Sequence, residues 1–312
     1  MKGRCNLAKY VLKRVFGSLI AILGAATVVF FMIRISGDPV RLMLPVEASE
    51  EQVAALRDSL GYNDPVIVQY GRYLLDLLHG DFGTSLHYNA PALPLILERL
   101  PATIELAVMA IAFATVIGLI AGTIAAVRRN GPFDVVSNVF VMFGQSVPVF
   151  WLSILLILLF SVTLKIFPTS GADQGIMSMI LPAFALSCYP AATITRLMRS
   201  SLLDVMSQDY IRTARAKGFS KWRVVIFQAI KNAFIPVITV IGMEFGTLLG
   251  GAVVTETIFA WPGIGRLMIQ AVNNRDFPLV QACVLVISFI FVLVNFIVDI
   301  SYSLFDPRIK YR

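Results

Sequence analysis

The stretch LAVMAIAFATVIGLIAGTIAAV, residues 106–127, contains no charged side chain and decides the fold class of this 312-residue chain. An α-helix of this length, rising about 1.5 Å per residue, comes close to spanning the hydrocarbon layer of a bilayer, which is about 30 Å thick. Across the whole chain 57% of the residues are hydrophobic and 14% are charged, whereas soluble domains carry about 25% charged residues. The sequence therefore predicts a membrane protein and excludes an ordinary water-soluble enzyme.

Five further apolar runs accompany this stretch. They cover residues 15–33, 135–164, 176–195, 233–255 and 279–298. The run at 135–164 is longer than one straight span, and Pro148 within it lacks a backbone donor, so a kink, tilt or interfacial turn is expected there. The pattern predicts an all-α membrane protein with six transmembrane helices. An even number of spans places both chain ends on one side of the membrane.

The Lys and Arg residues between the predicted spans indicate the orientation. Most of the 26 basic residues lie in the N-terminal tail, at residues 128–129, in the segment 196–232 and at the C-terminus. Because loops rich in Lys and Arg resist translocation, this side is expected to be cytoplasmic. The sequence thus predicts a multi-pass protein of the inner membrane with both termini in the cytoplasm. The net charge of +7 forms no aromatic-interleaved basic patch, so no nucleic-acid partner is expected.

The predicted spans divide the chain into four parts. These are the N-terminus with the first helix (1–33), an extracytoplasmic subdomain (34–101), a five-helix core (102–304) and a cytoplasmic tail (305–312). In the extracytoplasmic subdomain, Ser49 followed by Gln52 indicates a capping box that starts a helix over residues 49–60. A second short helix is predicted over residues 66–78.

The segment 196–232, between the fourth and fifth spans, is amphipathic. Its first half carries an apolar stripe at helical spacing and predicts one surface helix. The stripe consists of Leu203, Met206, Tyr210 and Ala214. Gly218 is placed to end this helix in a left-handed cap, and Ser220 to begin a second helix. Two interpretations remain open: the helices rest on anionic lipid headgroups, or Ala214 and Gly218 allow the close approach of a cytoplasmic partner.

The sequence offers no catalytic constellation. It contains no G-x-x-x-x-G-K-[ST] phosphate-binding loop, no H-E-x-x-H and no G-x-S-x-G, so ATP hydrolysis or proteolysis by this chain is not expected. Its three cysteines lack C-x-x-C spacing, and its two histidines lie in one polar loop. No metal site and no catalytic residue are therefore predicted.

Several stretches together resemble the permease subunits of ABC importers of the dipeptide, oligopeptide, nickel and glutathione group. DYIRTARAKG at residues 209–218, with NAFIPVIT at 232–239, is similar to the EAA loop of that group. Residues 212–214 are Arg-Thr-Ala where the general motif has Glu-Ala-Ala, a departure that fits the peptide group. Further similar stretches are GDP (37–39), GDFGTS (80–85), LPATIEL (100–106), GG (250–251), ETIFAWPGIG (256–265), NRDFP (274–278) and DPRI (306–309).

The resemblance implies the type I ABC importer permease fold and a transporter subunit without enzyme activity. ATP and Mg²⁺ would bind to separate ATPase subunits, and this chain would bind no cofactor. The implied ATPase-coupling residues are Asp209, Tyr210, Thr213, Ala214 and Gly218. The implied partners are a second related permease, two ATPase subunits and an extracytoplasmic solute-binding protein, besides the lipid bilayer.

The resemblance leaves the substrate open. A di- or oligopeptide is expected, with glutathione or chelated nickel as the alternatives. From another class of proteins, a self-sufficient channel or secondary transporter is the rival interpretation; it would need paired intramembrane charges or unwound half-helices.

Two further sites are candidates for function. Glu244 lies in the middle of the fifth run, where an acid costs about 2.5–3.5 kcal/mol on insertion scales. It is predicted to line the translocation path and attract a cationic group; a protonated or helix-paired structural acid is the alternative. Trp261 and Gly263 lie in the external 256–278 loop, where they are expected to anchor the loop at the membrane interface, or to form an outer gate or a seat for the binding protein.

Overall fold

The structure is a computed structural model that describes residues 2–35, 40–41, 44, 48–59 and 61–305. The GDP stretch at 37–39 and the tail from residue 306 lie outside the described residues. The helices, in chain order, are α1 (Lys2–Ile35), α2 (Glu50–Ser59), α3 (Val66–Leu78), α4 (Ala92–Val127), α5 (Pro132–Ser146), α6 (Val149–Leu156), α7 (Ile176–Met206), α8 (Asp209–Ala216), α9 (Lys221–Val224), α10 (Ile230–Ile258), α11 (Ile264–Asn273) and α12 (Phe277–Phe305). Thr84–Ser85 and Ala90–Pro91 form a short antiparallel hairpin, β1 and β2.

Five helices of the described chain are long and apolar enough to cross a membrane. A sixth span is formed if α5 is counted together with α6 and the π-helical segment Ile157–Thr163 that continues it. The break expected at Pro148 is present, but it is sharper than a tilt, because the two segments are bent by 107°. Val147 and Pro148 both adopt extended backbone angles. This is the conformation to which a proline restricts the preceding residue, so the helix stops and restarts in a new direction.

The long helices α4 and α7 form the centre of the bundle and approach each other closely. A Cβ atom on Gly122 would lie 2.6 Å from the Thr195 carbonyl oxygen and 2.8 Å from the Met198 Cβ. Gly118, one turn earlier, meets Ile194 in the same way. This Gly-x-x-x-Gly spacing allows two helix backbones to approach closely. In a membrane the hydrophobic effect does not drive helices together, so their association depends on the van der Waals contacts that such close approach permits.

Replacing Gly122 with Ala is expected to destabilise the bundle by about 1–3 kcal/mol, the usual cost of overpacking. The measurement is the thermal unfolding midpoint of the purified chain. Gly17→Ala is the matched control, because a Cβ on Gly17 in α1 meets nothing within 4 Å. There the substitution only improves helix propensity. Equal midpoints for the two variants would contradict the close packing of α4 and α7.

The two short helices between α1 and α4 follow the sequence prediction. The Gln52 amide donates to the Ser49 hydroxyl at 3.3 Å, and the Ser49 amide donates to the Gln52 side chain at 3.0 Å. This reciprocal pair confirms the capping box at the start of α2. The second helix, α3, has the predicted bounds.

Two predictions about the segment 196–232 are wrong. The predicted surface helix is interrupted at residues 207–208, so Leu203 and Met206 end α7 whereas Tyr210 and Ala214 belong to α8. The predicted second helix is not separate, because α9 continues through a π-helical turn, Val225–Ala229, into α10. Periodicity across the segment could not show these joints, because both sides of each joint are helical and amphipathic.

The 256–278 segment also differs from the prediction, which gave it turns alone. It contains a full helix, α11, whose apolar side faces α12 and the N-terminal end of α4. The turn residues are confined to its two ends. The helix is short and mixed in polarity, and it was hidden by the Pro and Gly residues that precede it.

Candidate functional site

The short helix α8 is attached firmly to the bundle of long helices. Ile211 is fully buried and Ala214 is 5% exposed. Both belong to one apolar cluster with Met198 and Leu202 of α7 and with Val224 at the start of the α9–α10 rod. A displacement of α8 would therefore be transmitted directly to two long helices, because close-packed side chains transmit movement rather than absorb it.

The opposite side of α8 is exposed, and it carries the candidate residues Asp209, Tyr210 and Thr213. Tyr210, predicted on the apolar stripe, is 42% exposed instead, because the interruption at residues 207–208 changes the rotation of the helix. Its hydroxyl accepts a hydrogen bond from the Asn232 side chain at 2.7 Å. Ala214, predicted to allow the approach of a partner, packs inside this chain.

The corner after α8 depends on Gly218, as predicted. Its φ angle is +83°, in the left-handed region that residues with a Cβ avoid. The Gly218 amide donates to the Arg215 carbonyl at 3.0 Å, so it satisfies one of the free carbonyl groups at the helix end. Just beyond the corner, the Lys221 ammonium donates to the Val127 carbonyl at 3.2 Å, so α9 is also tied to the end of α4.

Glu244 lies beside a cavity of about 260 Å³ between α5, the break before α6, α7 and α10. Phe143, Tyr189 and Thr247 are among the side chains that line it. In the described part of the chain, Glu244 is the one charged residue of this lining. The cavity is apolar apart from this carboxyl group and a few hydroxyl groups, so Glu244 is its principal attraction for a cation.

Trp261 and Gly263 are buried inside the chain, so Trp261 exposes little surface with which to anchor the loop to lipid. Trp261 is 3% exposed, and its indole nitrogen donates to the Ala102 carbonyl of α4 at 2.8 Å. Gly263 is buried, and a Cβ there would collide with the carboxylate of Glu256. The segment folds back into the bundle because its polar groups find partners inside it.

A buried cap at the start of α11 explains this arrangement. Glu256 is fully buried; its carboxylate accepts a hydrogen bond from the Thr103 hydroxyl at 2.7 Å and one from the Arg266 amide at 3.1 Å. The Thr103 hydroxyl accepts one from the Ile264 amide at 2.9 Å. The free amides at the start of a helix favour an acceptor, and a negative charge there is stabilised by the helix dipole. The cap joins α4, α10 and α11, and no local pattern in the sequence indicates it.

A second buried polar contact was also missed. Asp134, at the start of α5, binds Arg199 of α7 through two hydrogen bonds of 2.7 and 2.8 Å. The Asp134 side chain is 5% exposed, and it also accepts the Asn130 amide at 3.0 Å. No short-range pattern could reveal the pair, because its members lie in different helices. It fixes the start of the bent segment against α7.

The fold is that of an ABC importer permease. A methionine ABC transporter, MetNI, in an inward-facing conformation aligns with 68% of this chain and 96% of its own, at 19% identity and a TM-score of 0.55. An amino acid ABC transporter aligns with 69% of this chain and 94% of its own, at 19% identity and a TM-score of 0.51. At this identity the likeness shows the fold alone.

The sequence shows the family. Residues 114–311 match the binding-protein-dependent transport system inner membrane component, and residues 7–107 match its N-terminal counterpart. The chain belongs to this family. It is 42% identical over 330 residues to the dipeptide transport system permease protein DppB of Alkalihalophilus pseudofirmus, covering 97% of this chain and 99% of that one. It is 41% identical over 307 residues to the glutathione transport system permease protein GsiC of Salmonella paratyphi A, covering 98% of this chain and 100% of that one.

Proposed function

We propose that this permease forms half of a translocation path for di- or oligopeptides. A second, related permease would form the other half. Two ATPase subunits, which would bind ATP and Mg²⁺, would supply the energy, and an extracytoplasmic solute-binding protein would deliver the substrate. The observation that supports this most directly is α8, a short helix with an exposed polar side and an inner side packed between α7 and the α9–α10 rod.

The proposed movement follows from this packing. The ATPase subunits would contact the exposed side of α8, with Asp209, Tyr210 and Thr213 at the contact. Ala214 and Gly218 would not contact the ATPases. Ala214 would hold α8 against α7 and α9, and Gly218 would fix the direction of the chain after α8. Closure of the two ATPases would shift α8 and rotate α7 and α10, which border the Glu244 cavity. Such rigid-body rearrangement between two discrete states is a common gating mechanism.

This assignment also gives the orientation. If cytoplasmic ATPases contact α8 and the bent pair α5 and α6 forms one span, α8 and both chain termini would lie in the cytoplasm, the side that the distribution of Lys and Arg residues favours. The extracytoplasmic subdomain would then face the solute-binding protein.

A peptide is the preferred substrate because relatives named for dipeptide and peptide transport share 42–43% identity with nearly the whole chain. A peptide also offers an amino group that could approach Glu244. Glutathione is the second candidate, on the strength of the 41% identity with GsiC.

The test is reconstitution. The tagged chain is purified with the subunits that accompany it and inserted into liposomes containing ATP, and uptake of a labelled dipeptide, glutathione and chelated nickel is measured with the associated binding protein outside. Uptake of the dipeptide is expected, and only with ATP. Uptake by the chain alone without ATP would show a self-sufficient transporter, and preferential uptake of glutathione would reassign the substrate.

Replacing Glu244 with Gln is expected to reduce uptake of a dipeptide with a free amino group severalfold, by roughly 1 kcal/mol of lost charge attraction. An amino-acetylated dipeptide is the internal control, because it carries no positive charge for Glu244 to attract. Its uptake is expected to be equal in the parent protein and in the variant. An unchanged rate with the free dipeptide would assign Glu244 a structural role.

A further inference from the structure

Asn232 lies in the interior of the α9–α10 rod, shortly after the π-helical turn Val225–Ala229. Asparagine is a poor residue for a helix interior, because its side chain competes for backbone hydrogen bonds. The Asn232 side chain is also exposed, so it does not fill the core. The contacts that its amide group makes are therefore the reason to look for a role.

The Asn232 amide group links two elements of the fold. Its Nδ2 atom donates to the Tyr210 hydroxyl of α8 at 2.7 Å. The same atom donates to the Gln228 carbonyl within the π-helical turn at a longer distance, 3.4 Å. An amide nitrogen carries two hydrogens, so one is available for each acceptor. The side chain thus joins α8 to the π-helical turn of the rod, although Tyr210 and Asn232 are 22 residues apart in the chain.

The rod is weakened on both sides of Asn232. On one side, the Ile230 amide donates to the Val225 carbonyl, five residues earlier, where a regular α-helix uses the carbonyl four residues earlier. On the other side lies Pro236, which has no amide hydrogen to donate to the Asn232 carbonyl. Long helices kink at π-helical turns and at prolines. Residues 225–236, here called the weakened segment, are therefore the part of the rod that bends most readily.

Apolar packing alone does not align α8 with the weakened segment. Ile211 of α8 belongs to the same apolar cluster as Val225 and Ala229. Hydrophobic attraction is non-directional, so it holds the two elements together without specifying their alignment. A hydrogen bond requires a narrow range of distances and angles. The bond between Tyr210 and Asn232 therefore fixes the position of α8 along the rod.

We propose that Asn232 is a positioning residue for ATPase coupling. This inference rests on the proposed function, and it adds the residue through which a displacement of α8 reaches the weakened segment. Tyr210 is 42% exposed, so an ATPase subunit would contact its ring while its hydroxyl stays bound to Asn232. The displacement would then bend the rod at the weakened segment and move the part of α10 that carries Glu244.

The test is the number of substrate molecules taken up per ATP hydrolysed by the reconstituted complex, here called the coupling ratio. The substrate is a labelled dipeptide or glutathione, whichever the parent complex takes up. Tyr210→Phe keeps the ring and removes the hydroxyl, and Asn232→Ala removes the amide. Each is expected to lower the coupling ratio about fivefold, which corresponds to about 1 kcal/mol. The double variant should lower it no further, because both substitutions break the same hydrogen bond.

Two further variants separate this role from a purely structural one. Asn232→Asp loses the donor to the Gln228 carbonyl, but its carboxylate accepts a hydrogen bond from the Tyr210 hydroxyl, so the coupling ratio is expected to stay near that of the parent. Asn295→Ala is the matched control, because Asn295 donates to the Phe291 carbonyl, four residues earlier in α12, at 2.9 Å. It removes the same kind of contact from another long helix and should leave the coupling ratio unchanged.

Unchanged coupling ratios in Tyr210→Phe and Asn232→Ala, or additive losses in the double variant, would overturn the inference. Alanine is the better helix former, so Asn232→Ala should not lower the thermal unfolding midpoint. A lower midpoint, with uptake and ATP hydrolysis reduced in equal proportion, would give Asn232 a structural role only. If the parent complex shows no ATP-dependent uptake, the proposed function fails and this inference fails with it. Unchanged ratios in variants of an active complex would overturn this inference alone.

Discussion

Replacing Glu256 with Ala is expected to lower the free energy of unfolding by about 3–5 kcal/mol. The substitution removes a fully buried carboxylate and leaves the Thr103 hydroxyl and the Arg266 amide without their acceptor. Each buried donor left unpaired costs about 1–3 kcal/mol, and the lost side-chain volume leaves a cavity. The measurement is the thermal unfolding midpoint in detergent, together with the yield of folded protein.

Two further substitutions make this prediction specific. Glu256→Gln keeps the shape and one acceptor oxygen, so it is expected to cost less than half as much as Ala. Glu244→Gln changes another acid of the same helix that is only partly buried, and it should leave the midpoint almost unchanged. If Glu256→Ala unfolds at the same temperature as the parent protein, the cap does not hold α11 to α4 and α10.

Replacing Gly218 with Val is expected to reduce ATP-dependent uptake at least tenfold while the bundle stays folded. At a φ angle of +83°, a side chain with a Cβ costs about 1–2 kcal/mol, and a β-branched one is a severe outlier. A Cβ at this position meets nothing within 4 Å, so the strain is relieved by moving the corner rather than by unfolding. Since about 1.4 kcal/mol is a factor of ten, a displaced α8 would lose most of its proposed contact with the ATPases.

Gly80 provides the matched control. It follows the end of α3 as Gly218 follows the end of α8, its φ angle is +81°, and a Cβ there also meets nothing within 4 Å. Gly80→Val therefore introduces the same backbone strain at the opposite end of α4. Co-purification of the ATPase subunits should fall for Gly218→Val alone. If both variants lose the co-purifying ATPase subunits equally, the effect is a general one of backbone strain. If neither variant loses them, the corner at Gly218 has no role in ATPase coupling.

At Pro148 the local sequence predicts where the helix breaks but not the angle between the two segments. Proline restricts itself and the residue before it, so the position of the break was visible in the sequence. The angle of 107° between α5 and α6 depends on what each segment packs against. The contact between Asp134 and Arg199 is part of that packing, and nothing near either residue in the chain indicates it.

Helix α8 was likewise predictable only in part. Its corner was predictable, because only glycine readily adopts the left-handed conformation that a helix end of this kind requires. Which of its residues face the bundle and which face away from it was not predictable. The interruption at residues 207–208 rotated Tyr210 outward and left Ile211 to pack against α7. The helical period gives relative positions within one helix, and it carries no information across a joint.

The sequence by itself determined two kinds of feature. Local backbone preferences determined the capping box at Ser49 and the turn at Gly218, whereas the composition and order of residues over long stretches determined the membrane class, the spans and the family resemblance. Apolar length and backbone preference act within neighbouring residues, so they can be derived from the order of the chain. Only the tertiary structure decided that Glu256 meets Thr103 and that Trp261 turns inward. These contacts join residues more than a hundred positions apart, and a buried polar group finds its partner through the packing of whole helices.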